Sequence, residues 1–269
     1  MFIAKYDTFF TCFANNTIGG FMEENVIKLK TKLDYIKGNY IELPSNKFVN
    51  VGLLFEKLLG IENNSFSVAD IDGIELKVSK NNSLHPITLF SCTCDGPDFF
   101  ELNRFVNKYG ACDTTYKETK ILYINLSCSE YTKWGKNLKM KLNIDYNKKK
   151  IYIVVAHVNG KLIERRAYWN FSTLEKMLER KIQIMCLCNY SIIYRNSLKL
   201  CKFNDYLFYK YLGFDKFIFL LESGLVQVSI KYGIYKKGPK KGMSYNHGTS
   251  FFIKKDVLNM LFENFGQKK

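Results

Sequence analysis

Proline, histidine and arginine are all scarce in this chain. Among 269 residues there are 4 prolines and 3 histidines, and the only arginines are Arg104, Arg165, Arg166, Arg180 and Arg195. No run of about 18 apolar residues occurs, which excludes a membrane-spanning helix. No P-loop and no G-x-G-x-x-G occurs, which argues against nucleotide-driven chemistry. The three histidines are far apart and no nucleophile elbow accompanies them, so a Ser-His-Asp or Cys-His centre has no support. The 8 cysteines form no C-x-x-C and no Cys/His cluster, which leaves structural zinc without ligands. Two C-x-C pairs, Cys92/Cys94 and Cys186/Cys188, sit in strand-like apolar runs, where alternate side chains share a face and both thiols of a pair can enter a core. The opening residues lack a basic segment followed by a long apolar one, so no signal peptide is expected and the chain reads as cytoplasmic.

Lysine is abundant. Lys+Arg number 40 against 25 Asp+Glu, a net charge of +15. Such a field favours polyanions, nucleic acid before an anionic membrane surface, although a lysine-rich composition by itself gives the same balance. With 47% hydrophobic residues, the composition is that of a globular protein.

Helical periodicity covers Glu23 to Lys37, with Val26, Ile27, Leu29, Leu33 and Ile36 on one side, and Val51 to Leu59. Further helices are expected over Phe99–Tyr109, from a capping box at Ser172-Thr173-Leu174-Glu175 to Arg180, over Asp215–Ser223 and over Asp256–Phe265. Strands are expected at Gly73–Ser79, Ile87–Cys92, Ile121–Leu126, Leu138–Asp145, Ile151–His157, Lys181–Asn189, Leu225–Tyr235 and Thr249–Ile253. His157 reads as a core or sheet residue, and His85 as a weak candidate for DNA contact. Interspersed helices and strands mean α/β or α+β with a mixed sheet.

The segment Asp70-Ile71-Asp72-Gly73-Ile74-Glu75-Leu76-Lys77 reads Asp-x4-Glu-x-Lys. Glu75 and Lys77 are two apart on a strand, so they leave the same face about 7 Å apart at Cα. Ile74, Leu76 and Val78 take the opposite face. Asp70 arrives from a turn that Gly73 allows to be tight. Phosphodiester hydrolysis needs this set: two carboxylates to hold a hard cation such as Mg²⁺, with Mn²⁺ as a substitute, and an ammonium to orient water and neutralise developing charge. Glu56, on the preceding helix, is a candidate accessory acid. The pattern is short, and Asp113, Glu118 and Lys120 repeat its spacing. That copy lacks apolar alternation around its Glu and Lys, and so reads as a solvated approach to a strand.

A second signal is the run Tyr232 to Thr249, where Tyr235, Lys236, Lys237, Lys240, Lys241, Tyr245, Asn246 and His247 are interleaved with glycines. Amines and backbone N–H groups there can follow phosphates, while Asn246 and His247 can reach base edges. Lys148, Lys149 and Lys150 read as a solvated turn.

At these residues the chain resembles the MvaI/BcnI family of type II restriction endonucleases, relatives of MutH-like nicking enzymes with the PD-(D/E)xK nuclease fold. The likeness runs from about residue 22 to 265. It takes in Gly52-Leu53-Leu54-Phe55-Glu56-Lys57-Leu58-Leu59, Asp70 with Gly73-Ile74-Glu75-Leu76-Lys77, and Ile87-Thr88-Leu89-Phe90. Asn107-Lys108-Tyr109-Gly110, Ala167-Tyr168-Trp169-Asn170-Phe171, Gly233-Ile234-Tyr235, Lys240-Lys241-Gly242 and His247-Gly248-Thr249 follow in order. The resemblance implies a two-lobed monomer around a DNA cleft, mainly catalytic over residues 22–130 and mainly DNA-reading, with a shared sheet, over 131–269. It implies Mg²⁺-dependent cleavage of double-stranded DNA by sequential nicking, with Asp70 and Glu75 on the metal, Lys77 catalytic and Glu56 accessory. Ser229 to Thr249, including Ser229, Lys231 and Thr249, would read DNA. A cognate DNA methyltransferase would be the genetic partner, in a bacterial cytoplasm. Two departures stand out: Ala69 replaces the usual proline of the motif, and Ser229 and Lys231 stand where relatives carry an acid and an arginine. Lysine lacks the arginine fork that suits guanine. A MutH-like nicking repair enzyme and a catalytically dead DNA-binding protein are the rival readings.

Overall fold

The computed structural model describes residues 24–44, 49–61, 68–98, 101–246 and 249–265. The chain divides into two compact units that interleave in sequence: residues 1–83, 180–210 and 264–269 form one, and 84–179 with 211–263 the other. The fold is mixed α and β. Among the described residues, no helix is long and apolar enough to cross a membrane.

The first unit is built on a mixed sheet. Its strands are β1 (Tyr40–Leu43), β2 (Ile74–Lys80), β10 (Ile184–Arg195) and β11 (Leu198–Tyr211), in the order β1-β11-β10-β2. β2 runs parallel to β10, and the other pairs are antiparallel. Among the described strands β2 therefore lies at an edge. Helix α1 (residues 24–36) and helix α2 (Val51–Leu58) supply apolar side chains to one core. Val26, Leu29, Leu33 and Ile36 of α1 meet Phe55 and Leu59, Ile74 and Leu76, and Cys186, Cys188, Cys201 and Phe203. Phe55 and Phe203 meet at a tilt with ring centroids 5.0 Å apart and are almost fully enclosed. Burying each such ring contributes roughly 1.5–3 kcal/mol. The paired thiols Cys186 and Cys188 both enter this core, as their spacing on a strand requires. Ile27 does not join the buried face of α1; it is 64% exposed.

The second unit holds two sheets. One has the order β3-β14-β12-β5-β4, with β13 on β12; the other has the order β6-β7-β8-β9. Their strands are β3 (Ile87–Ser91), β4 (Ala111–Cys112), β5 (Lys120–Leu126), β6 (Thr132–Trp134), β7 (Leu138–Asp145), β8 (Lys150–His157), β9 (Leu162–Asn170), β12 (Val226–Ile234), β13 (Ser244–Asn246) and β14 (Ser250–Ile253). Helices α3 (Glu101–Tyr109), α4 (Phe171–Lys181) and α5 (Phe214–Glu222) complete the main elements. Phe90 stacks on Phe251 at 4.7 Å, and Trp169 meets Phe251 edge-on at 5.6 Å. The Trp169 Nε1–H donates to the Cys92 carbonyl at 3.0 Å, so the buried indole keeps its hydrogen bond.

Several elements differ from the sequence expectation. Residues 256–265 form no α-helix. A 3-10 turn (Lys255–Met260) leads into β15 (Phe262–Phe265), which pairs with β11. Spacings of three residues serve both kinds of helix, so buried Leu258 and Leu261 gave the same signal. Ser172 lies inside α4, not at its cap, because the helix starts at Phe171, whose N–H reaches the Lys149 carbonyl. His157 ends β8 and is exposed, not a core residue. β10 continues to Arg195, well beyond Asn189.

Candidate active site

The turn before β2 is set by two residues at positive φ, Asp72 (47°) and Gly73 (83°). Ile71 and Ile74 exchange both backbone hydrogen bonds across it, at 3.1 and 2.7 Å. This is the pattern of a type I′ turn, for which Asp-Gly is a favoured pair. Asn25 Nδ2 donates to the Asp72 carbonyl at 3.2 Å and ties the turn to α1. The reversal brings Asp70 back beside β2, where its Oδ2 accepts the Leu76 N–H at 2.7 Å.

Along β2 the predicted alternation holds. Ile74 and Leu76 are buried in the core, and Glu75 and Lys77 leave the other face. That face is not open. The parallel register sets Met185 beside Glu75 and Leu187 beside Lys77, and both apolar neighbours are buried. Glu75 is thus 1% exposed. The Lys77 ammonium donates to Glu75 Oε1.

Helix α2 brings the fourth acid. Asn50 caps it, its Oδ1 accepting from Gly52 N–H at 3.0 Å and Leu53 N–H at 3.4 Å, a cap that the sequence reading missed. A Cβ on Gly52 would stand 3.9 Å from Val78 Cγ2, so the start of α2 passes close to β2. Glu56 is half-buried. Burial raises its carboxyl above the ordinary glutamate value, and the Asp70 charge adds to that, while Lys77 and Lys181 oppose it. Burial also raises Glu75; Lys77 counters this, and Asp70 reinforces it. Glu56, Asp70, Glu75 and Lys77 therefore share one electrostatic environment.

A fifth residue belongs to that environment. Lys181, the last residue of α4, places Nζ 3.2 Å from Glu75 Oε2 and 3.4 Å from the Val68 carbonyl. Its angle to Oε2 is not that of a hydrogen bond, and Oε2 remains buried without a hydrogen-bond partner. The sequence signal for Lys181 was faint: a lysine directly ahead of the buried strand that pairs with β2.

Such an oxygen fits a hard cation, which takes oxygen ligands. Among the described residues, no three His, Cys, Asp or Glu side chains stand close enough to enclose a metal alone.

The copy of the motif is used otherwise. Asp113 is buried, not solvated. Its Oδ1 accepts the N–H groups of Thr115 and Tyr116 at 2.9 Å each and the Lys236 ammonium at 2.6 Å. Lys236 thus has a carboxylate partner, and it also lies over the Tyr116 ring. Gly242, with φ 87°, sits where a Cβ would come within 3.2 Å of that ring.

The basic segment is held by β12 pairing with β13, with Tyr232 opposite Asn246 and Gly233 opposite Tyr245. Beyond β12, Tyr235 stacks on Tyr245 at 4.1 Å, and Lys240 lies over the Tyr235 ring at 5.9 Å. Lys231, Lys236, Lys237, Lys240, Lys241 and Asn246 are exposed. Ser229 is buried within the sheet, and Thr249 is sealed there with its hydroxyl lacking a hydrogen-bond partner. His247 lies outside the described residues.

The solved structures similar to this chain define its class. A complex titled restriction endonuclease MvaI with cognate DNA substrate matches with a TM-score of 0.82 at 25% identity, covering 90% of this chain and 98% of that one. Restriction endonuclease MvaI in the absence of DNA matches with a TM-score of 0.59 at 23% identity, covering 90% and 97%. The fold is that of a restriction endonuclease. The model of the MvaI/BcnI restriction endonuclease family matches residues 25–262, and the chain belongs to that family. No curated protein sequence matches it.

Proposed function

We propose that this restriction endonuclease is a Mg²⁺-dependent type II enzyme that hydrolyses double-stranded DNA at a short specific site, working as a monomer that nicks one strand and then the other. The observation that carries the reading is the buried Oε2 of Glu75, which accepts no hydrogen bond, beside Asp70 and Lys77 in a member of this family. Asp70 and Glu75 would hold Mg²⁺ or Mn²⁺. Bound there, the ion supplies charge neutralisation at the scissile phosphate and makes hydroxide accessible at neutral pH.

The chain's own residues do the rest. Lys77, anchored on Glu75, orients the attacking water and stabilises the added negative charge as the water oxygen bonds to phosphorus and the ester P–O bond breaks. Glu56, with its raised affinity for a proton, would hold that water. Lys231, Tyr235, Lys236, Lys237, Lys240, Lys241, Asn246 and His247 would grip and read the duplex. Ser229 and Thr249 support the strand and the turn that present them. A cognate methyltransferase in a bacterial cytoplasm completes the proposal.

Digestion of supercoiled plasmid tests it. Linear fragments with fixed ends are expected in Mg²⁺, and none after EDTA. Persistent open circles would favour the nicking repair reading. Binding without cleavage in Mg²⁺ or Mn²⁺ would favour a DNA-binding protein with a dead nuclease site.

A further inference from the structure

Both oxygens of Glu75 face an ammonium group. Lys77 takes Oε1, and Lys181 stands 3.2 Å from Oε2. The two lysines come from different parts of the chain, one on the edge strand and one at the C-terminal end of α4, where the helix dipole favours a cation. Lys181 also spans to the Val68 carbonyl, on the approach to Asp70. Its side chain is 18% exposed against 2% for Glu75, so it closes the outer side of a buried carboxylate. When all are ionised, the three carboxylates of Glu56, Asp70 and Glu75 against the two ammonium groups of Lys77 and Lys181 leave one net negative charge. A site with one lysine would carry two.

We infer that Lys181 is a positioning residue that serves as an internal counter-ion: it holds the Glu75 carboxylate aimed in the free protein, and competes with the divalent cation for Oε2. This rests on the metal reading proposed above. An ion that takes Oε2 must displace or push back this ammonium, so the free protein binds metal weakly. The loaded site then carries one net positive charge, which a phosphodiester neutralises. Metal retention and DNA binding thereby reinforce each other, as any coupling of two ligands must be reciprocal.

Mn²⁺ titration of the full chain without DNA, followed by electron paramagnetic resonance of the free ion, tests this. Lys181→Met keeps the side-chain length and removes the charge. It should tighten Mn²⁺ binding about tenfold, since unit charges this close interact by more than 1 kcal/mol even in a water-like medium. Lys181→Arg should restore wild-type affinity, which a purely steric role would not do. Asp70→Asn should abolish the site. If Lys181→Met binds Mn²⁺ no tighter than wild type while Asp70→Asn binds none, the counter-ion role is overturned and the metal site stands. If wild type and Asp70→Asn bind Mn²⁺ alike, the metal reading falls and the inference with it. Thermal melts of each variant establish that the folded protein is being titrated.

Discussion

On β2 the charged side chains lie within the strand itself, on a face backed by Met185 and Leu187. On β12 the strand is almost wholly buried and pairs with β5, β13 and β14, and apart from Lys231 the basic residues begin where its pairing ends. The first arrangement spends stability on placing charge in a dry setting, where a small number of groups interact strongly. The second keeps its charge in water, where each lysine interacts weakly and many are needed. The chemistry and the grip proposed above thus call for opposite treatments of the same side chain. Lys77 is packed and paired, while Lys240 and Lys241 are exposed on a loop.

The sharpest way to break this contrast is Lys77→Ala. It should lower the single-turnover cleavage rate by about 10³-fold, with duplex affinity in a mobility-shift assay nearly unchanged. Wild-type cleavage by this variant would remove β2 from the chemistry. The converse change, Lys240→Ala with Lys241→Ala, should weaken duplex binding roughly tenfold at moderate salt and flatten the slope of log affinity against log salt by about 2. The rate on saturating DNA should stay near wild type. An unaltered slope would take these lysines off the phosphates.

Gly73→Ala sharpens the comparison at the turn. A side chain at φ 83° costs about 1–2 kcal/mol, so a lower urea midpoint should accompany slower cleavage, with duplex affinity retained. Asp113→Asn has the smallest effect. Lys236 and two backbone N–H groups hold the Asp113 carboxyl down to about 2 from an ordinary 3.8. The folded value lies below the unfolded one, so the stabilisation is present above pH 3.8 and is lost as pH falls from there to about 2. The melting difference between wild type and Asp113→Asn should be constant from pH 7 to 4 and shrink below that.

Most of the proposed catalytic set was legible because it is local. Asp70, Glu75 and Lys77 lie within eight residues, and period-two alternation around Ile74, Leu76 and Val78 gives the face. Lys181 was not legible, because it reaches Glu75 only through the parallel pairing of β2 with β10, a neighbour more than 100 residues away. The long β10–β11 hairpin was not read at all, the expected strand ending at Asn189, for a different reason. Polar Asn189 and Ser191 interrupt β10, and the reversal at Asn196 and Ser197, both at positive φ, uses no glycine. The basic segment was legible by composition alone, which names its charges but leaves the buried Ser229 and Thr249 undistinguished from the exposed lysines of the same segment.

The bond from the Leu76 amide to Asp70 has a bearing on solubility. An outermost strand offers a row of unsatisfied donors and acceptors on which a foreign segment can dock and seed aggregation. By occupying one of those donors, the Asp70 carboxylate leaves a gap in the template, so a side chain proposed to hold the metal also discourages self-association along that margin.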